Sequence, residues 1–404
     1  MSTTDETQTP STGTDPSQAP TGTGTDSPRP STGTHPSQAP TGTGTDSPRP
    51  STGAEPSGAP LPADANGHAP DQVPAEEARR VPALGLAGAG LLAVAVSTWW
   101  TAPESVPGIT LPGPLVEYGL PVVRLVLDLC ALATVGLSLL PRFLGFDDQE
   151  RTEPILSRAR VWAVVAAFGW ALAALVAMVL SAAEITPGRM PDPAVYVSLI
   201  GAGQGLVISA ACALIYTFFG LLAVRFGEKV PAELRVVVAV FGLLPLPVSG
   251  HASNWYWHDL SMVSMELHVV AAAAWTGGLV ALAVLLTRDR ELLARALPRF
   301  SRLATVALVV VALSGLFSGL VELALSPATS LPGSLFTTHY GQLVVAKVVF
   351  VCAVGALGAN IRWRLLPGVA RRQATSFAAW AALELGVMGL AYGVAVALTR
   401  APVA

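Results

Sequence analysis

Between Ser249 and Leu279 the chain reads SGHASNWYWHDLSMVSMELHVVAAAAWTGGL, which sets His251, His258 and His268 beside Met262 and Met265 in an otherwise apolar run. Asp259 and Glu266 share the stretch. Imidazole nitrogen with thioether sulfur suits a soft-to-borderline transition metal, copper above all, and suits magnesium or calcium poorly, since these take oxygen. On a helix His258, Met262 and Met265 stand at i, i+4 and i+7 and share one face. His268 then lies about 15 Å beyond His258 at the helical rise, close to the middle of a bilayer. His339, later in the chain, can complete a site if its helix neighbours the one that carries His268.

Other polar residues interrupt the apolar runs. Arg124 and Asp128 stand at i, i+4 on one run and are expected to pair with each other. Lys347 falls about 12 Å inside its run by the same rise and could meet Glu266 as an ion pair. Glu322, Glu384 and Gln204 carry no assigned role. Gly277 and Gly278 after Thr276 allow close helix approach and read as packing. Cys130, Cys212 and Cys352 lie far apart, with no CxxC spacing, and read as packing residues rather than ligands or disulfides.

The elements that must hold these groups are membrane helices. Of 404 residues 51% are hydrophobic and only 13% charged, too apolar a balance for an ordinary water-soluble domain. That average joins two unlike parts. Residues 1–80 are rich in Pro, Gly, Ser and Thr, and Ser11–Pro30 recurs as Ser31–Pro50 with Asp15 replaced by His35. Such a tail cannot bury enough surface to offset chain entropy, so it is expected to be disordered, a passive spacer whose His35 and His68 are too isolated to be ligands. The first apolar run begins too late for an ordinary cleavable leader and is expected to be retained.

Beyond the tail, about nine runs are long enough to cross a hydrocarbon core: 83–101, 116–140, 159–183, 195–224, 232–248, 259–286, 302–325, 340–361 and 376–398. The fold expected is an all-α polytopic membrane helix bundle behind a disordered N-terminal tail, with a four-helix part over 81–230 and a five-helix part over 231–404. Pro245 and Pro247 break the far end of the fifth run. Arginine and lysine gather in alternate connections, around Arg151, Arg225, Arg295 and Arg364, while the intervening ones hold little beyond Arg189 and Arg400. The positive-inside bias then puts the N-terminus in the cytoplasm and the C-terminus outside, and every histidine beyond the tail at the outer end or on a helix entered from it.

Around these residues the chain resembles the copper resistance protein D (CopD) family of bacterial inner-membrane proteins. The likeness is carried by Gly250-His251-Ala252, by His268 with Trp275 and Gly277-Gly278, by Phe300-Ser301 and Ser314-Gly315, and by Tyr340-Gly341, Lys347 and Asn360. It implies passage of copper across the cytoplasmic membrane, usually inward, with an extracytoplasmic CopC-like copper-binding protein as donor. On this reading His251, His258 and Met262 capture copper, and His268 and His339 receive it. Two further readings stand beside it. One is a b-type cytochrome in which His268 with His339 or His251 ligates haem. The other is an assembly partner for a copper oxidase. No GxSxG or HExxH motif and no nucleotide-binding motif occurs, so neither an enzyme nor an ATP-driven pump is expected. Membrane lipid is the expected surrounding, and nucleic acid is not an expected partner.

Overall fold

A computed structural model describes residues 77–102, 112–145, 148–249, 258–326, 330–365, 367–368 and 377–401. Within them every regular element is helical. In chain order these are α1 (Glu77–Trp100), α2 (Pro114–Leu144), α3 (Gln149–Ile185), the short α4 (Pro193–Leu199), α5 (Gly201–Phe226), α6 (Ala232–Leu243), α7 (His258–Leu285), α8 (Arg290–Leu325), the single turn α9 (Ser334–Thr337), α10 (His339–Asn360) and α11 (Phe377–Leu398). The repeat tail lies outside the described residues.

Local chemistry sets the helix ends. The Asp289 carboxylate accepts from the Glu291 and Leu292 N–H groups at 3.1 and 3.0 Å and starts α8. Asp192 caps α4 in the same way. The Thr338 hydroxyl accepts from Gly341 N–H at 3.0 Å and starts α10. Each cap satisfies N–H groups that a helix cannot bond internally. α2 begins with Pro114, a residue preorganised for a first turn, and stops at Gly145, whose φ of +81° suits glycine alone.

Eight of these helices, α1, α2, α3, α5, α7, α8, α10 and α11, are long and apolar enough to cross a membrane. The protein is therefore a multi-pass membrane protein. Large apolar side chains such as Trp162, Phe168, Leu172 and Leu221 face outward, as a lipid-facing surface requires. Two expected runs are broken. Residues 195–224 divide at Ile200, which is extended, because Gly201, Gly203 and Gly205 are poor helix formers and α4 folds against them; a Cβ on Gly203 would lie 2.8 Å from the Tyr196 ring. The fifth run becomes a 12-residue α6 followed by a 3₁₀ turn, Leu246–Ser249. Pro245 lacks the N–H that would continue α6, and its ring clashes with the preceding turn. The broken segment still returns along α5, since a Cβ on Gly205 would lie 2.6 Å from the Pro245 carbonyl oxygen. Gly205 stands about 30 Å along α5 from its far end, the depth of a full crossing.

The crossing helices alternate in direction except that α5 and α7 run the same way, with the broken α6 segment returning between them, so the bundle has two chemically distinct ends. At one end Arg295 meets Asp148 at 3.1 Å and Glu291 at 2.9 Å, Arg151 bonds Glu291, and Arg299 donates to the Phe143 carbonyl at 2.9 Å. This is the arginine-rich end. At the other, Arg400 donates to the Glu117 carbonyl at 3.1 Å and pairs with Glu184, and Trp100 donates to Gln342 at 3.2 Å. α7 and α10 start at that end with His258 and His339, and it is called the histidine end below.

Both sequence-defined parts contribute to one core. α1 packs along α11, where Gly389 and Gly393 admit the α1 backbone; a Cβ on Gly389 would lie 2.3 Å from the Leu86 carbonyl oxygen. α2 packs as closely on α7, where a Cβ on Gly277 would lie 1.9 Å from the Leu132 carbonyl oxygen and one on Gly136 would lie 2.0 Å from Gly277. Glycine is required at these crossings, which are the small-residue contacts expected where lipid supplies no hydrophobic drive between helices. The expectation that Gly277 and Gly278 serve packing is met, with Gly278 against Phe300 and Phe143.

Candidate functional site

α2, α7, α8, α10 and α11 line a cavity of about 410 Å³ whose α8–α10 side includes the exposed Leu316, Val348 and Cys352. Its walls are largely leucine, valine and alanine, but each helix places polar groups in it: Arg124 and Asp128 from α2, Ser261, Met265, His268 and Thr276 from α7, Ser318 and Glu322 from α8, Tyr340, Lys347 and Cys352 from α10, and Tyr392 and Thr399 from α11. Residues near the histidine end (Ser261, Tyr340, Thr399, Pro247) and residues near mid-helix (Trp275, Val354, Met388) bound the same space. The cavity therefore runs from the histidine end into the middle of the bundle. Polar side chains in such a setting are costly unless they serve a solute or one another.

His268 is 7% exposed, and its Nδ1 lies 2.9 Å from the Ser314 hydroxyl oxygen. Ser314 itself donates back to the Val310 carbonyl at 2.5 Å, one turn earlier on α8. A hydroxyl has one proton, so with that proton on Val310 the bond to the imidazole requires Nδ1–H as donor. The lone pair is then on Nε2, and the ring is further held by the Val311 carbonyl on α8. An orienting hydrogen bond on one ring nitrogen is what fixes the other as a ligand. Close approach of α8 makes this possible, since a Cβ on Gly315 would lie 3.0 Å from the His268 ring.

Met265 lines the cavity three residues before His268 on α7, so a thioether and an imidazole from successive turns share it. The remaining expected ligands are elsewhere. Met262 is half-buried and does not line the cavity. The ladder read from spacing is therefore not continuous, because the cavity-facing stripe of α7 runs through Ser261, Met265, His268, Ala272 and Thr276 and leaves Met262 at its margin. His339 is exposed at the start of α10, with its ring 5.8 Å from that of Trp100. It is not brought to His268. His251 lies outside the described residues, and His258 opens α7 with its side chain outside them. Asp259 is exposed, and Glu266 is half-buried on a part of α7 that does not line the cavity, so it does not meet Lys347 there. Among the described residues no three His, Cys, Asp or Glu gather as a metal-holding group, and no second histidine lines the cavity with His268.

The structure also assembles groups to which the sequence assigned no part in binding. Arg124 and Asp128 attract each other, as expected, and do so inside the cavity. Tyr392 hydrogen-bonds Thr276 and stands close enough to Asp128 to feel its charge. Glu322 acts likewise on Tyr340. Cys352, expected to be a packing residue, lines the cavity. Every one of these was visible as a polar residue in an apolar run, but which runs are neighbours is not written in periodicity.

Two family models match the chain in succession. Residues 115–258 match "Copper resistance protein D-like, N-terminal domain" and residues 294–398 match "Copper resistance protein D". Among curated proteins, the chain is similar to the copper transport protein CutJ of Bacillus subtilis (strain 168), 32% identical over 130 residues, which is 30% of this chain and 23% of that protein. It is also similar to the copper resistance protein D of Pseudomonas syringae pv. tomato, 29% identical over 196 residues, 43% of this chain and 60% of that protein. These matches span less than two thirds of either relative. No solved structure matches the chain. α2, α10 and α11 and most of α8 lie in the matched segments, while α7 falls between them; with both halves of one family's pattern matched in order, the chain belongs to the copper resistance protein D family.

Proposed function

We propose that the protein carries copper inward across the cytoplasmic membrane, with the histidine end outside and the arginine-rich end in the cytoplasm. The observation that carries the reading is that the His268 imidazole and the Met265 thioether line one cavity that reaches the histidine end. Imidazole and thioether favour cuprous ion over the hard cations that abound outside a cell. A two-donor site is also weak enough to release the ion, as transit requires. Asp128 and Glu322 place carboxyl groups along the cavity, and Tyr392 and Thr276 place hydroxyls there. The orientation rests on the arginine-rich end facing the cytoplasm. An extracytoplasmic CopC-like protein is the expected donor, delivering to His251 and then to the start of α7, where His258 and Met262 stand.

Uptake of copper by cells tests the reading. His268→Ala and Met265→Ala are expected to lose uptake, and His339→Ala, which alters an exposed ring against Trp100, is expected to retain it. Wild-type uptake in His268→Ala cells would sink the proposal. So would a Soret band at stoichiometric haem in the purified protein, which would mark His268 as a haem ligand instead.

A further inference from the structure

α8 and α10 touch at two levels and part between them. Toward the histidine end a Cβ on Gly319 would lie 3.1 Å from Val344 Cγ1, and toward the arginine-rich end one on Gly355 would lie 3.5 Å from Leu308 Cδ2. The helices run in opposite directions, and each spends about 16 Å of its length between these contacts at the helical rise. In that interval α8 presents Ala312, Gly315 and Leu316, and α10 presents Val348, Val351 and Cys352, all of which line the cavity of about 410 Å³. Leu316 and Val348 are nevertheless 46% and 43% exposed, and Cys352 is exposed as well. Ala312 and Gly315 are too small to bridge the interval. The cavity is therefore open on its side.

That opening faces hydrocarbon. Val348 stands about 14 Å from the start of α10 and Leu316 about 14 Å from the end of α8, close to the middle of a core about 30 Å thick. At this depth a bilayer offers acyl chains, and neither head groups nor bulk water. The outer surface beside the opening is apolar too, with Leu313 and Val349 exposed. Just inside, Val311, Ala312, Val344 and Val351 form an apolar wall in which Lys347 is the exception, while Arg124, Asp128, Thr276 and Tyr392 stand on α2, α7 and α11. A void against such a wall forfeits dispersion contacts, and water there would leave apolar surface wet. A chain of methylenes from the adjoining bilayer meets neither cost.

We infer that an acyl chain of a bilayer phospholipid enters between α8 and α10 and occupies the apolar side of this cavity beside His268, so that lipid and copper ion exclude each other there. The meeting with His268 follows from Gly315, where a Cβ would lie only 3.0 Å from the ring, so a chain that passes this glycine inside the cavity lies against the imidazole. The acyl-chain site stands on the opening alone. Exclusion of the ion rests on the copper-permease reading and makes the surrounding lipid a regulator of that site.

The test uses the full chain in vesicles of phosphatidylcholine, a fraction of which carries a diazirine midway along one acyl chain. Irradiation followed by peptide mapping reads where the chains lie. Adducts are expected outside at Leu313 and Val349, and inside at Val269 and Ala272, which line the cavity from α7. Val348→Trp and Ala312→Phe fill the opening and should lose the inner adducts while keeping the outer ones, which also report that the variants are folded. Val348→Ala widens it and should raise the inner adducts. No inner adducts in the wild type overturns the site, and inner adducts undiminished in both filled variants overturn the route. Absence of the outer adducts from the wild type would show a second copy of the chain over the opening, and overturns the proposal as well. In a second arm cuprous ion is added before irradiation, and influx is read by an entrapped chelating dye. The ion should lower the inner adducts in the wild type and leave them unchanged in His268→Ala. Inner adducts that do not respond to cuprous ion in a wild type that imports it overturn the exclusion. A wild type with inner adducts and no cuprous influx refutes the permease reading alone and leaves the acyl-chain site standing.

Discussion

Removing the Ser314 hydroxyl isolates the feature that turns His268 from a buried histidine into a ligand. In Ser314→Ala the imidazole Nδ1–H loses an acceptor at 2.9 Å inside a site where His268 is only 7% exposed. A buried donor left without its partner costs about 1–3 kcal/mol. The ring then keeps only its bond to the Val311 carbonyl on α8, and its hold on one tautomer and orientation is weakened. Loss of an outer-shell partner of this kind lowers metal affinity about 10–100-fold, and at about 1.4 kcal/mol per decade the two figures agree. The assay is cuprous affinity by competition with a chelator in detergent, run beside His268→Ala as the limit of complete loss. Ser314→Thr keeps the hydroxyl and the back-bond to Val310 and should bind much more tightly than Ser314→Ala. If Ser314→Ala binds as the wild type does while His268→Ala does not, the hydrogen bond is irrelevant to ligation and the tautomer argument fails. If both bind as the wild type does, His268 is not a ligand.

Two further outcomes concern the scaffold. Gly277→Ala should lower the midpoint of thermal unfolding, because its Cβ would sit 1.9 Å from the Leu132 carbonyl oxygen and only separation of α2 from α7 relieves it; the cost is about 3 kcal/mol, the upper part of the overpacking range, since backbone cannot swing aside as a side chain does. Gly386→Ala, whose Cβ meets nothing within 4 Å, is the matched control and should leave the midpoint unchanged. Asp128→Asn should destabilise by about 2–3 kcal/mol in chemical denaturation, somewhat below the usual cost of breaking a buried pair because both side chains line a cavity. Arg124→Leu on that background should restore part of the loss, and no recovery would show that the two residues are not energetically coupled.

Much of the architecture could be read before any coordinates, because a bilayer leaves few solutions. A run of about 20 apolar residues must be a helix, since hydrocarbon offers its backbone no other hydrogen bonds. The alternation of arginine-rich and arginine-poor connections likewise foretold which helix ends lie together, and Arg151 with Glu291 and Arg400 with Glu184 meet as that alternation requires. The fifth run was legible only in part. Pro245 announced a break, but that the broken segment still returns to Gly205 depends on packing against α5.

The candidate site divides in the same way. Residue type and spacing on one helix were enough to single out His268 and Met265, because donor chemistry and the 3.6-residue repeat are local properties. Spacing on one helix could not tell that Met262 stands at the margin of the cavity-facing stripe, nor that His339 spends its ring on Trp100. It could not bring Ser314, Asp128 or Tyr392 to their partners either. Those meetings depend on which helices touch, and contact between helices is settled by glycines such as Gly136, Gly277, Gly315 and Gly389, whose missing side chains leave no period in the sequence but let two backbones close to within a bond length or two of collision.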